Sequence, residues 1–83
     1  MISVVLYTKE NCGLCDTVKQ DLASLQPDYP HRLTEIDITQ ETAVFDAYKH
    51  IIPVVEIGNR RLQAPITHQE LETALRQAAQ TAN

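Results

Sequence analysis

The sequence predicts an α/β domain built on a four-stranded mixed sheet with helices on both faces. Three observations carry that prediction. The 83 residues are 43% hydrophobic and 22% charged, which suits a single domain spanning residues 1–83. Hydrophobic periodicity reads in the order strand, helix, strand, helix, strand, strand, helix. The pair Gly58-Asn59 falls between two short strand-like runs, so the last two strands pair locally as a hairpin, whereas the first two must be joined by a parallel crossover through a helix.

Each element has its own warrant. Ile2 to Tyr7 is a β-branched run with little alternation, as in a strand covered on both faces, and it belongs at the centre of the sheet. After the polar stretch Thr8 to Asn11, apolar residues return at Val18, Leu22 and Leu25. They form a helical stripe that stops before Pro27, and Cys12 and Cys15 open that helix. Leu33 to Ile38 alternates imperfectly with Thr34, Glu35 and Asp37, which suits an edge strand with one wetter face; Asp37 or Thr39 caps the next helix. Val44, Phe45 and Tyr48 share one side of that short helix, from Glu41 to Lys49, and Pro53 marks its end. Pro53 to Ile57 and Arg60 to Gln63 are the antiparallel hairpin strands. Thr67 and Glu70 have capping-box spacing, and Ile66 and Leu71 are placed to staple across it. Leu71, Ala74, Leu75 and Ala78 continue the buried face of the last helix, and the polar tail Gln80 to Asn83 is expected to fray.

Composition excludes several classes of function. The formal charge is -4 and the seven Lys and Arg are scattered, so no concentrated positive face is available for nucleic acid or anionic lipid. The longest apolar runs fall far short of the about 18 residues needed to span a bilayer. Two cysteines are too few for a secreted disulfide scaffold, and nothing resembles a signal peptide, so the expected compartment is the cytoplasm.

Those two cysteines are the chemistry-bearing feature. They lie three apart in Asn11-Cys12-Gly13-Leu14-Cys15-Asp16, just beyond the carboxyl end of the first strand, where ligands of such sheets bind. A cysteine at a helix start meets unpaired amides and the positive end of the macrodipole, both of which favour the thiolate. Lys9 adds positive charge from upstream, Gly13 keeps the approach open, and Asp16 opposes the thiolate through its charge. Cys15, one turn on, is placed as a resolving thiol. Other uses fit less well. A structural disulfide would close only a tiny loop and would be reduced in the cytosol. A zinc site would be half complete, because His31, His50 and His68 are not spaced as ligand pairs, so no metal site is assigned within the chain. Two inert buried cysteines would not suit the polar Asn11 and Asp16 beside them.

With Val-Val-Leu-Tyr-Thr-Lys leading into Cys-x-x-Cys, and Ile51-Ile52-Pro53 leading into the third strand, the chain resembles a glutaredoxin, or more broadly a small thioredoxin-fold protein, over nearly its whole length. In particular it resembles the short glutaredoxin-like group with an Asn-Cys-x-x-Cys motif. The resemblance implies a glutaredoxin-like βαβαββα thioredoxin fold and a thiol-disulfide oxidoreductase in electron transport, with Cys12 and Cys15 as a redox-active disulfide. It further implies a cis Ile52-Pro53 bond beside them, and a substrate surface made by Lys9, Gly13, Leu14, Ile52 and Pro53, with the Ile52 backbone pairing to an extended substrate.

The chain also departs from the family. Gly13-Leu14 replaces the usual Pro-Tyr, Leu6 stands where thioredoxins place a buried acid, and Gln63-Ala64-Pro65-Ile66-Thr67 lacks the Gly-Gly and Cys-Asp or Ser-Asp pairs that grip the γ-glutamyl end of glutathione. Thr67 and the amides of the last helix still offer a helix terminus to a carboxylate. The expected partners are a disulfide-containing protein or a low-molecular-weight thiol and an external reductant, acting on a monomer. No cofactor is tightly bound, and glutathione enters, if at all, as a co-substrate. The alternative is a carrier that holds a metal or an iron-sulfur cluster between two chains through Cys12. His31, His50 and His68 lie near element ends, where solvated or capping roles are expected. Tyr7, Phe45 and Tyr48 read as packing, and Arg60 and Arg61 as solvated hairpin residues.

Overall fold

The computed structural model describes residues 1–81. Strands β1 (Ile2–Thr8), β2 (His31–Asp37), β3 (Val54–Ile57) and β4 (Arg60–Gln63) form one sheet in the order β2-β1-β3-β4. Helices α1 (Gly13–Leu25), α2 (Thr42–Tyr48) and α3 (His68–Thr81) connect and follow them. β1 runs parallel to β2, from Ile2 opposite His31 to Thr8 opposite Asp37, and antiparallel to β3, with Val4 opposite Ile57 and Tyr7 opposite Val54. It is therefore interior to the sheet, as its β-branched run with little alternation predicts.

Alternation along β1 divides the apolar residues between two layers. Val4 and Leu6 join Val55, Ile57 and Leu62 of the hairpin, and Val18, Leu22 and Leu25 of α1 close over them with Leu71, Ala74 and Leu75 of α3. Burying each of the larger side chains contributes roughly 1.5–3 kcal/mol, and this layer is the main source of stability. The opposite layer is thinner, since α2 has no fully buried residue. There Tyr7 meets Tyr48 edge to face, with ring centroids 4.8 Å apart, and donates its hydroxyl to Glu56 at 3.3 Å. Burial, and then the Glu56 charge, push the Tyr7 phenol above its ordinary range, so it remains a neutral donor.

The hairpin turn depends on Gly58, whose φ is 57°. A Cβ at that position would meet the Ala78 Cβ at 3.6 Å, an ordinary contact, so only the backbone conformation resists a side chain. Gly58→Ala should cost about 1–2 kcal/mol, read as a fall in the urea midpoint with an unchanged slope. An unchanged midpoint would show that the turn does not require a left-handed residue.

Several boundaries differ from expectation, each for an identifiable reason. β2 begins at His31 rather than Leu33, because pairing with Ile2 continues the ladder. His31 is consequently not solvated: it is 4% exposed, its Nδ1 lies 2.7 Å from the Tyr29 carbonyl oxygen, and its Nε2 is without a partner among the described residues. Ile38 leaves the strand for a 3₁₀ turn (Ile38–Gln40) and is fully buried there. Asp37 caps that turn, not α2, accepting the Thr39 amide at 2.9 Å and the Thr39 hydroxyl at 2.6 Å. These bonds hold its carboxyl below the usual carboxylate range. α2 ends before Pro53 forces it to, since the Tyr48 carbonyl takes the Ile51 amide at 2.9 Å and the Ile52 amide at 3.1 Å.

α3 opens on the expected capping box and runs through Thr81, whose hydroxyl donates to the Gln77 carbonyl at 3.2 Å. Gln80 and Thr81 are thus helical rather than frayed, and the last two residues of the tail, 82–83, lie outside the described residues. Among the described residues no helix is long and apolar enough to cross a membrane.

Candidate functional site

β1 delivers the chain to a short loop at one end of the sheet, and the loop turns sharply into α1 at Asn11, which has φ 59°. Asn is among the few residues besides Gly that enter this region at modest cost. In the sequence Asn11 reads only as a polar flank; its left-handed backbone is what sets the approach to Cys12. Asn11→Gly should leave stability and the α1 start intact, whereas Asn11→Val should cost about 1–2 kcal/mol in thermal or urea unfolding. Equal stability of the two variants would show that the turn relaxes to another conformation.

Cys12 is the N-cap of α1, with φ -109° and ψ 100°. Its Sγ accepts the Cys15 amide at 3.2 Å, and its carbonyl accepts the Asp16 amide at 3.1 Å. A sulfur thus occupies the position where a Ser or Asp oxygen ordinarily satisfies a first-turn donor. Cys12 and Cys15 are joined by a disulfide with their Cα atoms 5.2 Å apart. The two sulfurs differ sharply in access, because Cys15 is 0% exposed while Cys12 is only half-buried. Between them, Leu14 projects outward at 60% exposure, and a Cβ built on Gly13 would meet nothing within 4 Å.

The third strand brings a second segment to the same end of the sheet. Tyr7 pairs with Val54, so Ile52 and Pro53 lie beside the carboxyl end of β1, next to the loop that holds Cys12. The Ile52-Pro53 bond is cis, as the resemblance implies; Pro53 is buried and Ile52 half-buried. The Ile52 amide already donates to Tyr48, so a segment laid along this residue is met by its carbonyl and not by both backbone groups. The loop after β4 joins them, since the Ala64 amide donates to the Ile51 carbonyl at 3.2 Å. Ala64-Pro65 is also cis, a feature the sequence does not reveal because an Ala-Pro pair in a connection is compatible with either isomer.

Lys9 is exposed in the β1-α1 loop, on a groove shared with Glu10, Asn11, Asp16, Lys19, Glu35 and Asp37. Lys19 is tied to Glu35 at 3.3 Å, with both ends solvated, so that pair contributes little to stability. Of the histidines, His50 is exposed and His68 reaches Asp21 of α1 at 3.2 Å, pinning the start of α3 to α1. Among the described residues no three His, Cys, Asp or Glu side chains converge as a metal-ligand set.

A cysteine pair at the start of the first helix, with a cis-proline opening the third strand of a β2-β1-β3-β4 sheet, defines a thiol redox protein of the thioredoxin fold. Within that class the chain belongs to the glutaredoxin-like domain family (DUF836), whose profile matches residues 3–76. Solved structures agree on the fold. A structural-genomics target protein from X. campestris superposes with a TM-score of 0.76 at 25% identity, covering 89% of this chain and 96% of its own. Oxidised thioredoxin O2 from Arabidopsis thaliana gives 0.75 at 17% identity, with 93% of this chain and 74% of its own covered. Thioredoxin 1 from Thermosipho africanus gives 0.74 at 11% identity, with 98% of each chain covered. No match is found among curated proteins.

Proposed function

We propose that the protein is a thiol-disulfide oxidoreductase that reduces a protein or small-molecule disulfide through the Cys12-Cys15 couple. The observation that carries this reading is the unequal access of two bonded sulfurs at one helix start: Cys12 is reachable and Cys15 is fully buried.

In the reduced protein the first-turn amides of α1 favour a thiolate at Cys12. That thiolate attacks one sulfur of the substrate disulfide, forming a Cys12-substrate bond and expelling the other sulfur as a thiolate, which takes up a proton. Cys15 then loses its proton and attacks the Cys12 sulfur. The Cys12-Cys15 bond forms, the remaining substrate sulfur leaves, and two electrons have moved from the protein to the substrate. An external thiol or dithiol donor restores the reduced pair. Lys9, Gly13, Leu14, Ile52 and Pro53 form the surface against which the substrate lies, with Leu14 and Ile52 supplying apolar contact and the Ile52 carbonyl a backbone acceptor. The protein acts as a monomer in a reducing compartment such as the cytoplasm, without a tightly bound cofactor.

The test begins with protein reduced by a dithiol and desalted. Mixing with hydroxyethyl disulfide or insulin should consume two protein thiols per disulfide reduced. Limiting iodoacetamide should alkylate Cys12 and spare Cys15, with a rate that titrates below the roughly 8.5 of a free thiol. Sluggish alkylation together with no disulfide reduction would overturn the assignment.

A further inference from the structure

We infer that Tyr48 is a positioning residue for this site, fixing the Ile51-Ile52-Pro53 segment against which an extended disulfide substrate lies beside Cys12. The inference rests on the thiol-disulfide reading and gives α2 a part in that site.

The segment is held at one point. Ile51 and Ile52 are half-buried between α2 and β3, and Pro53 has no N–H with which to bond a neighbour. The two amides before it, those of Ile51 and Ile52, both donate to the Tyr48 carbonyl, at 2.9 and 3.1 Å. The place of that one carbonyl therefore governs which way the Ile52 carbonyl faces. A further bond, from the Ala64 amide to the Ile51 carbonyl at 3.2 Å, stops one residue short of it.

The Tyr48 backbone is held in turn by its side chain. α2 has seven residues, none fully buried, and a helix so short does not persist without packing. At its last residue the Tyr48 ring meets Tyr7 of β1 edge to face, with centroids 4.8 Å apart and planes at 73°. The Tyr48 hydroxyl accepts Arg61 Nη1 of β4 at 3.3 Å, and the Arg61 guanidinium lies 5.9 Å from the ring centroid. Tyr7 donates to Glu56 of β3, the residue opposite Arg61, and pairs with Val54, the residue after Pro53. β1 also leads into the Cys12 loop. Through its ring and its carbonyl, Tyr48 thus ties the substrate segment to the strand that delivers the nucleophile.

Tyr48→Leu removes the edge contact and the hydroxyl but keeps apolar cover on the sheet; Tyr48→Phe keeps the edge contact. Each reduced protein is mixed with hydroxyethyl disulfide, which has no peptide backbone. It is also mixed with the disulfide dimer of a short uncharged peptide carrying one central cysteine, which offers an extended backbone. The ratio of the two second-order oxidation rates cancels any change in Cys12 reactivity. Tyr48→Leu should lower the peptide rate about three- to tenfold relative to hydroxyethyl disulfide, the worth of one backbone hydrogen bond, and leave the iodoacetamide rate at Cys12 unchanged. Tyr48→Phe should keep the wild-type ratio. Hydrogen exchange at the Ile51 and Ile52 amides, followed by NMR, should quicken in Tyr48→Leu and stay slow in Tyr48→Phe.

Val5→Ala is the control for stability alone. It thins the same layer of the sheet, opposite Glu56, and should lower the urea midpoint while leaving the ratio unchanged. An unchanged ratio in Tyr48→Leu, with both disulfides still reduced, would overturn the positioning role, and so would an equal fall in Val5→Ala. Exchange of the Ile51 and Ile52 amides of wild type at the free-chain rate would overturn it without any variant. Failure of wild type to reduce either disulfide would overturn the thiol-disulfide reading and this inference with it.

Discussion

Cys12→Ser should lower disulfide reduction to the uncatalysed background, whereas Cys15→Ser should stop the protein halfway, as a stable mixed disulfide on Cys12. The asymmetry follows from access. Cys15 is 0% exposed, so no external disulfide reaches it, and in the Cys12→Ser protein the remaining thiol has neither a partner within the chain nor a path to solvent. Serine at position 12 preserves the cap, since its hydroxyl accepts the amide that Cys12 Sγ now accepts, but an alcohol at neutral pH supplies no thiolate. In Cys15→Ser the first attack is intact and only the resolving step is lost, so the adduct accumulates until an external thiol removes it. Mass spectrometry after hydroxyethyl disulfide treatment separates the cases: an adduct on Cys12 in Cys15→Ser, none in Cys12→Ser. Full turnover by Cys12→Ser would remove the assignment of the nucleophile.

The largest effect on stability should come from Leu6→Ala. Leu6 is fully buried in β1, opposite Val55 of β3, and sits in the cluster closed by α1 and α3. Truncating a buried leucine loses its transfer energy and leaves a cavity, at about 2–5 kcal/mol. A domain of this size has on the order of 5–10 kcal/mol to lose, so this one change removes much of it, lowering the melting temperature by roughly 10–25 °C. Val5, the preceding residue on the same strand, faces the thinner layer and is only half-buried, so Val5→Ala should cost about 1 kcal/mol. Equal losses from the two variants would contradict the register of β1.

Much of this arrangement is legible in the sequence because local physics dictates it. The apolar run of β1, the Gly58 turn and the Thr67-Glu70 box each specify a structure through nearest neighbours, and each is present as expected. The cysteine pair is equally legible, since three-residue spacing at a helix start places Cys15 one turn behind Cys12 whatever the rest of the fold does. The misses share a different origin. His31 reads as a solvated end residue until pairing with Ile2 draws it into the ladder, and a strand's length is decided by its partner. Asp37 is a sound capping residue, but whether it caps α2 or an intervening 3₁₀ turn depends on where Ile38 finds a buried position.

By itself the sequence determined the element order, the hairpin, the capped last helix and the placing of the Cys12-Cys15 pair at the start of α1, because these follow from periodicity, turn chemistry and spacing along a few residues. Only the tertiary structure decided what surrounds that pair. It sealed Cys15 and left Cys12 open, set the cis Ile52-Pro53 segment and the Ala64-Pro65 connection at the same sheet end, and drew the Ile52 amide away to Tyr48. These are long-range consequences of sheet pairing and of competition for hydrogen-bond donors, which no local pattern can resolve.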